Sequence, residues 1–341
     1  MTFTSRQRAV ETAAWTGDLL GEGYQQHVIE LGADPDGEGE IAAVVVRRTP
    51  AVGEVAAGVV LYVHGFADYF FQTDLADFFA ERGLAFYAID LRKSGRARRT
   101  GQTAHYASDL AQYDAELDRA MDLVAAEHPD RPVTVVAHST GGLIASLYLD
   151  RRRSAGRLAP IAGLVLNSPW FDLQGKPVMR GPVTWAMRGL ARVRPLRALD
   201  LPGSVYTGTL HTSGTGEWDF DVDLKPLDGF PVTIGWLNAV RRGHARLHRG
   251  LDVGVPSLVL RSDKTHFSRT YSGASDRADT VLDVQQIARW ARCLGGETAV
   301  VPVPDARHDV FLSLAEPRRR AYDSLDAWLR SHQLVKQGQP G

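Results

Sequence analysis

Seven apolar, largely β-branched runs recur along the chain, at Glu40 to Arg48, Gly58 to His64, Leu84 to Asp90, Pro132 to His138, Ile161 to Asn167, Pro256 to Arg261 and Thr298 to Val303. Most lack polar residues at alternate positions, the pattern of strands covered on both faces, whereas the mixed run from Tyr24 to Leu31 reads as an edge strand. Helical patterns lie between the later runs. Leu110, Tyr113, Leu117, Met121 and Val124 recur at three- and four-residue spacing, as do Tyr322, Leu325, Trp328 and Leu329 near the end. Strands alternating with helices predict an α/β fold: a mostly parallel sheet with helices on both faces, its ligands beyond the carboxyl ends of the strands.

The alternation breaks between Pro169 and Gly250. This stretch holds four of the seven tryptophans, Trp170, Trp185, Trp218 and Trp236, and its 11 Lys and Arg outnumber its 7 Asp and Glu. A connection that long is more often functional than idle. It is expected to be a cap (lid) inserted over the site, with 1–168 and 251–341 forming the core and 169–250 the insertion.

Composition narrows the function. The chain has 44% hydrophobic and 23% charged residues, near globular averages, and a formal charge of −1, which gives no basis for nucleic-acid binding. The expected partner is a small molecule. The single cysteine, Cys293, cannot form an internal disulfide, so a reducing compartment is expected, with the cytoplasm as default. The N-terminal MTFTSRQRAVETAAW lacks the apolar core of a signal peptide, and no segment has the run of about 18 apolar residues that spans a membrane. Stable membrane insertion is therefore not expected, and the sequence carries no signal for oligomeric state.

Val133-Thr-Val-Val-Ala137-His138-Ser139-Thr140-Gly141-Gly142 reads as a strand, a sharp turn carrying one serine, and a helix opening on two glycines. That is the form of a nucleophile elbow, in which the residues two before and two after the serine must be small. Ala137 departs from the usual Gly-x-Ser-x-Gly by one methyl group, and an N-cap role for Ser139 is the plain alternative. The strand Val59 to Val63 ends in His64-Gly65-Phe66, so the amides of Phe66 and Thr140 are candidate oxyanion donors, while His64 is expected to hold its loop. His308 lies in the loop leaving the last strand, where a base can reach Ser139. The acid should follow a strand between them, which leaves Asp172 after the run Ile161 to Asn167 and Asp263 or Asp279 after the run Pro256 to Arg261. Tyr69, Phe70, Phe71, Trp170 and Phe171 are candidates for an apolar substrate pocket.

With these pieces the chain resembles the α/β-hydrolases of the monoacylglycerol lipase and lysophospholipase type, also described as serine aminopeptidase-like hydrolases. The resemblance rests on His64-Gly65-Phe66, on Asp90-Leu91-Arg92-Lys93-Ser94-Gly95-Arg96 where relatives often show Asp-x-Arg-Gly-x-Gly-x-Ser, on His138-Ser139-Thr140-Gly141-Gly142, and on Arg307-His308-Asp309. It implies an α/β-hydrolase fold and hydrolysis of a small-molecule carboxylic ester through an acyl-enzyme on Ser139, needing neither metal nor organic cofactor. It also implies Asp279 as the acid, since Asp279 and Asp283 match the family's Asp-x-x-x-Asp stretch, with Asp263 second and Ser262 to Ala278 an insertion. Asp90 and Arg92 would brace loops. A non-catalytic ligand-binding protein of the same fold, and lactonase, thioesterase, peptidase or acyltransferase chemistry on the same residues, stay open at this level.

Overall fold

The computed structural model describes residues 14–50, 55–173, 189–199 and 205–335; Trp185 and the Lys336 to Gly341 tail lie outside them. Nine strands form one sheet: β1 (Thr16–Gly17), β2 (Tyr24–Ala33), β3 (Glu40–Arg48), β4 (Gly58–Val63), β5 (Leu84–Asp90), β6 (Val133–His138), β7 (Ile161–Asn167), β8 (Ser257–Ser262) and β9 (Thr298–Val303). Their spatial order is β1-β2-β3-β5-β4-β6-β7-β8-β9. Pairings from β1 through β3 to β5 are antiparallel, and all the others are parallel. Among the described residues, the run expected at an edge, β2, is covered on its outer side only by the two residues of β1.

Alternate side chains of the central strands serve opposite faces, because side-chain direction in a strand has a period of two. On one face Val59, Leu61, Val63, Val133, Val135 and Ala137 pack with helices α2 (Asp114–Glu127), α3 (Thr140–Ser154), α5 (Ile234–Leu247) and α6 (Val284–Ala291). On the other, Val60, Tyr62, Phe86, Val136 and Leu258 meet α1 (Thr73–Ala80) and α7 (Ala315–Ser331). A short helix, α4 (Tyr206–Leu210), lies in the long connection after β7. The pattern from Leu110 to Val124 divides in two: Asp109 accepts the Ala111 N–H at 2.9 Å and starts a 3₁₀ turn over Leu110–Tyr113, and α2 begins only at Asp114.

The parallel ladders level the strand ends. Val63 lies beside Ala137, His138 beside Asn167, and Asn167 beside Leu260, so the loops leaving β4, β6, β7 and β8 emerge along one edge. Within the connection from 169 to 250, Trp236, Ala239, Val240 and Leu247 of α5 are buried in the same core as the sheet face, and α4 joins a smaller apolar cluster with Tyr69, Phe71, Phe220 and Leu312.

Buried ion pairs fix the loop after β5. Asp90 accepts the Phe70 N–H at 2.9 Å, the Arg96 N–H at 3.0 Å and the Arg96 guanidinium at 2.8 Å. Arg92, 2% exposed, donates from Nε to Glu116 of α2 at 2.9 Å, and Glu116 is 0% exposed. Removing one member of such a pair leaves an uncompensated buried charge, which costs about 3–5 kcal/mol. Arg92→Ala should therefore lower the urea midpoint markedly, and Arg92→Met combined with Glu116→Leu should recover most of the loss. An unchanged midpoint in Arg92→Ala would contradict this assignment.

Candidate active site

Ser139 sits at the junction of β6 and α3 with φ +51° and ψ −117°, a conformation L-residues rarely adopt. Strain of this kind costs about 1–3 kcal/mol and persists only where surrounding contacts over-determine it. Here they do. The Ser139 N–H donates to the Asn167 carbonyl at 2.9 Å, and its own carbonyl accepts from Gly142 at 3.0 Å and Trp170 at 2.9 Å. The first turn of α3 passes against the end of β4, where a Cβ on Gly141 would come within 2.3 Å of the His64 carbonyl oxygen and 2.7 Å of that of Val63. Only glycine allows that approach.

His308 leaves β9 through the loop at 304–309 and points its Nε2 at the Ser139 Oγ, 3.0 Å away. Its Nδ1 lies 2.8 Å from Asp279 Oδ2. An ionised carboxylate only accepts, so Nδ1 carries the proton, and Nε2 is left to accept from the serine hydroxyl. Asp279 is 0% exposed, and its second oxygen accepts the N–H groups of Val281 at 2.8 Å and Leu282 at 2.7 Å.

The structure brings Asp279, and neither other acid, to His308. After β8 the chain makes an excursion and returns alongside its own start: Thr265 and Asp279 form a parallel bridge, the Asp279 N–H donates to the Lys264 carbonyl at 3.0 Å, and His266 donates to the Asp279 carbonyl at 2.9 Å. Asp279 thereby stands close beyond a strand end that lies 17 residues back in sequence, at Ser262. Asp263 instead accepts the Asp305 N–H at 3.0 Å, and Asp172 accepts the Trp290 indole at 3.0 Å.

The loop leaving β4 is held by His64. Its Nδ1 meets the Gly65 carbonyl at 2.6 Å, so that nitrogen donates, and its Nε2 accepts the Leu91 N–H at 3.0 Å. Among the described residues the N–H groups of Phe66 and Thr140 have no acceptor, and Gly65 lies against Ser139 and His138. Thr140 directly follows the serine in sequence, and Phe66 directly follows Gly65.

The aromatic candidates part ways. Trp170 is half-buried beside the elbow, its ring 5.8 Å from that of Trp236, which in turn lies 4.2 Å from Phe66. Tyr69 is fully buried, and its hydroxyl accepts the Asp221 N–H at 2.8 Å. Phe171 lies in the core on the α5 side of the sheet. Phe70 packs on the opposite face, 5.9 Å from Tyr62 and 5.2 Å from Phe86.

Two further groups that the sequence patterns did not single out for a site role lie against His308, and an ion pair stands behind one of them. Tyr206 of α4 sets its ring edge-on to the imidazole at 5.3 Å, and His138 lies on it at 4.9 Å. Asp68 meets His138 Nδ1 at 3.3 Å and Lys225 Nζ at 2.7 Å. Burial would raise the Asp68 carboxyl, but the Lys225 ammonium and the His138 hydrogen bond hold it well below the usual carboxylate range. This buried lysine ties the long connection to the loop leaving β4. A polar residue in an otherwise apolar setting was the available signal for Asp68, whereas Lys225 lies in a segment without periodicity.

A family model described as "Serine aminopeptidase, S33" matches residues 54–270. Over 112 residues the chain is 34% identical to a monoacylglycerol lipase of Mycolicibacterium smegmatis, an alignment covering 33% of this chain and 39% of that lipase. A soluble variant of monoglyceride lipase from Saccharomyces cerevisiae, solved with a substrate analog, superposes with a TM-score of 0.61 at 17% identity, covering 97% of this chain and 98% of that one. The monoacylglycerol lipase of Paleococcus ferrophilus gives 0.58 at 16% identity over 90% and 99% of the two chains. At those identities the solved structures speak to the fold, which is the α/β-hydrolase fold.

The close approach at Gly141 is open to a direct check. Gly141→Ala should cost roughly 1–3 kcal/mol by forcing α3 away from β4, read as a lower denaturation midpoint. Gly208→Ala, where an added Cβ meets nothing within 4 Å, should stay near wild type. Equal midpoints for the two variants would refute the packing argument.

Proposed function

The chain belongs to the serine aminopeptidase S33 family of hydrolases, and on that premise we propose that it hydrolyses small-molecule carboxylic esters through an acyl-enzyme on Ser139. The observation that carries this reading is the continuous chain from Asp279 through His308 to a strained Ser139. Ser139 Oγ attacks the ester carbonyl carbon as His308 Nε2 takes its proton, and the N–H groups of Phe66 and Thr140 receive the negative oxygen. The tetrahedral intermediate expels the alcohol, which leaves with the proton held by His308. Water then attacks the acyl carbon, giving a proton to His308, which returns it to Ser139 Oγ as the Oγ–acyl bond breaks and the carboxylic acid departs. Asp279 keeps the proton on Nδ1 and stabilises the imidazolium.

Apolar acyl groups suit the site best. Phe66, Trp170 and Trp236 form a contiguous aromatic wall beside the elbow, which supports an alkyl chain more than a charged substituent, and the partial likeness to a monoacylglycerol lipase points the same way. In this reading the segment 169–250 acts as the cap: Trp236 supplies part of the wall, Tyr206 covers His308, and Lys225 anchors the segment. Phe171 packs in the same core as the wall, whereas Tyr69 belongs to a separate cluster with Phe71 and Tyr206. The single cysteine fits a cytoplasmic setting.

Ser139→Ala and His308→Ala should each abolish hydrolysis of p-nitrophenyl esters with the circular dichroism spectrum unchanged, because such groups act as a unit. Asp279→Asn should lower kcat by about 10⁴ through the wrong imidazole tautomer, while Asp263→Asn should cost little. Wild-type turnover in Ser139→Ala, or the reverse ranking of the two aspartates, would overturn the mechanism.

The wall makes a second prediction, on chain length. Each methylene buried against it should add about 0.8 kcal/mol to transition-state binding, so kcat/KM should rise from p-nitrophenyl acetate and level off once the wall is covered. A steady fall from acetate to decanoate would exclude a long apolar acyl group.

A further inference from the structure

We infer that Asn167 is a positioning residue that sets the alignment of His308 on Ser139, an inference resting on the ester-hydrolase reading above. Asn167 is the last residue of β7 and is 0% exposed, the one polar side chain in an otherwise apolar strand. Its backbone carbonyl accepts the Ser139 N–H at 2.9 Å, holding the elbow. Its side chain faces the other loop: Nδ2 donates to Asp309 Oδ1 at 2.6 Å, and Oδ1 accepts the Val310 N–H at 3.0 Å. Asp309 and Val310 directly follow His308. One residue thus grips the serine turn by its main chain and the histidine turn by its amide.

The chemistry of the amide is specific. Asp309 is 1% exposed, also accepts the Phe311 N–H at 3.0 Å, and has no Lys or Arg in a salt bridge with it among the described residues. Its ionisable neighbours are His308 itself and Tyr62, Tyr206 and Tyr322, whose hydroxyls are held protonated as burial raises each of them. The Asn167 N–H is therefore a principal donor to a buried carboxylate, and a buried acceptor left without its donor forces local rearrangement. Leucine has the right size and neither group. Aspartate places a second carboxylate 2.6 Å from the first, and only when protonated can it donate to Asp309 and accept from Val310 as asparagine does.

The test uses both substitutions in the full chain. Asn167→Leu should lower kcat for a p-nitrophenyl ester roughly 10- to 100-fold, with KM within about twofold, because a displacement of about an ångström in the base is that costly. For Asn167→Asp, the ratio of its kcat to that of wild type should be highest at the acid end of the profile and fall as pH rises, while the ratio for Asn167→Leu stays flat. An independent readout is the low-field proton resonance of the His308 Nδ1–H, assigned by its loss in Asp279→Asn. It should broaden or shift in Asn167→Leu, whether or not the ester assay succeeds. An active wild type with kcat unchanged in Asn167→Leu, a pH-independent ratio for Asn167→Asp, or an unaltered resonance would overturn the role of Asn167. An inactive wild type would overturn the ester reading alone.

Discussion

Everything at the candidate site depends on how closely the first turn of α3 approaches the end of β4. Ser139 can hold its positive φ because strand and helix cross there with no side chain at Gly141 to keep them apart. The same crossing brings the loop from His64 to Phe66 beside the serine, with Gly65 against Ser139 and His138. The strain at Ser139 is met by a hydrogen bond it donates to β7 and one it accepts from Trp170, so the geometry is stored in the fold and not in the serine.

The strands were legible because burial on two faces leaves unbroken apolar runs, and Ser139 and His308 were legible because both follow strand ends. Asp279 was not legible from residue pattern alone. Its position depends on the bridge between Thr265 and Asp279, a pairing of residues far apart in sequence that no local propensity encodes. Asp263 looked better on proximity to β8, but it faces the turn at Asp305. The resemblance of Asp279 to Asp283 to a family stretch supplied what periodicity could not.

The aromatic residues teach a related lesson. Phe70 and Tyr69 are neighbours in sequence, yet Phe70 lies in the core among Tyr62 and Phe86 while Tyr69 lies under the long connection. Composition near a strand end says that aromatic residues are present, and the path of the backbone decides which face each one serves. Within the connection, α5 was hard to anticipate as a core element because its segment is rich in arginine. Its apolar stripe of Trp236, Ala239, Val240, Gly243 and Leu247 is what packs, and the arginines take the other side.

The central claim is that Ser139 is the nucleophile and that the Phe66 and Thr140 amides receive the oxyanion. A crystal structure of the protein after reaction with an alkyl fluorophosphonate tests both parts at once. The account predicts phosphorus bonded to Ser139 Oγ, with the phosphoryl oxygen about 2.7–3.1 Å from both amide nitrogens. A protein left unmodified at Ser139, or an adduct whose phosphoryl oxygen turns away from both amides, would contradict it.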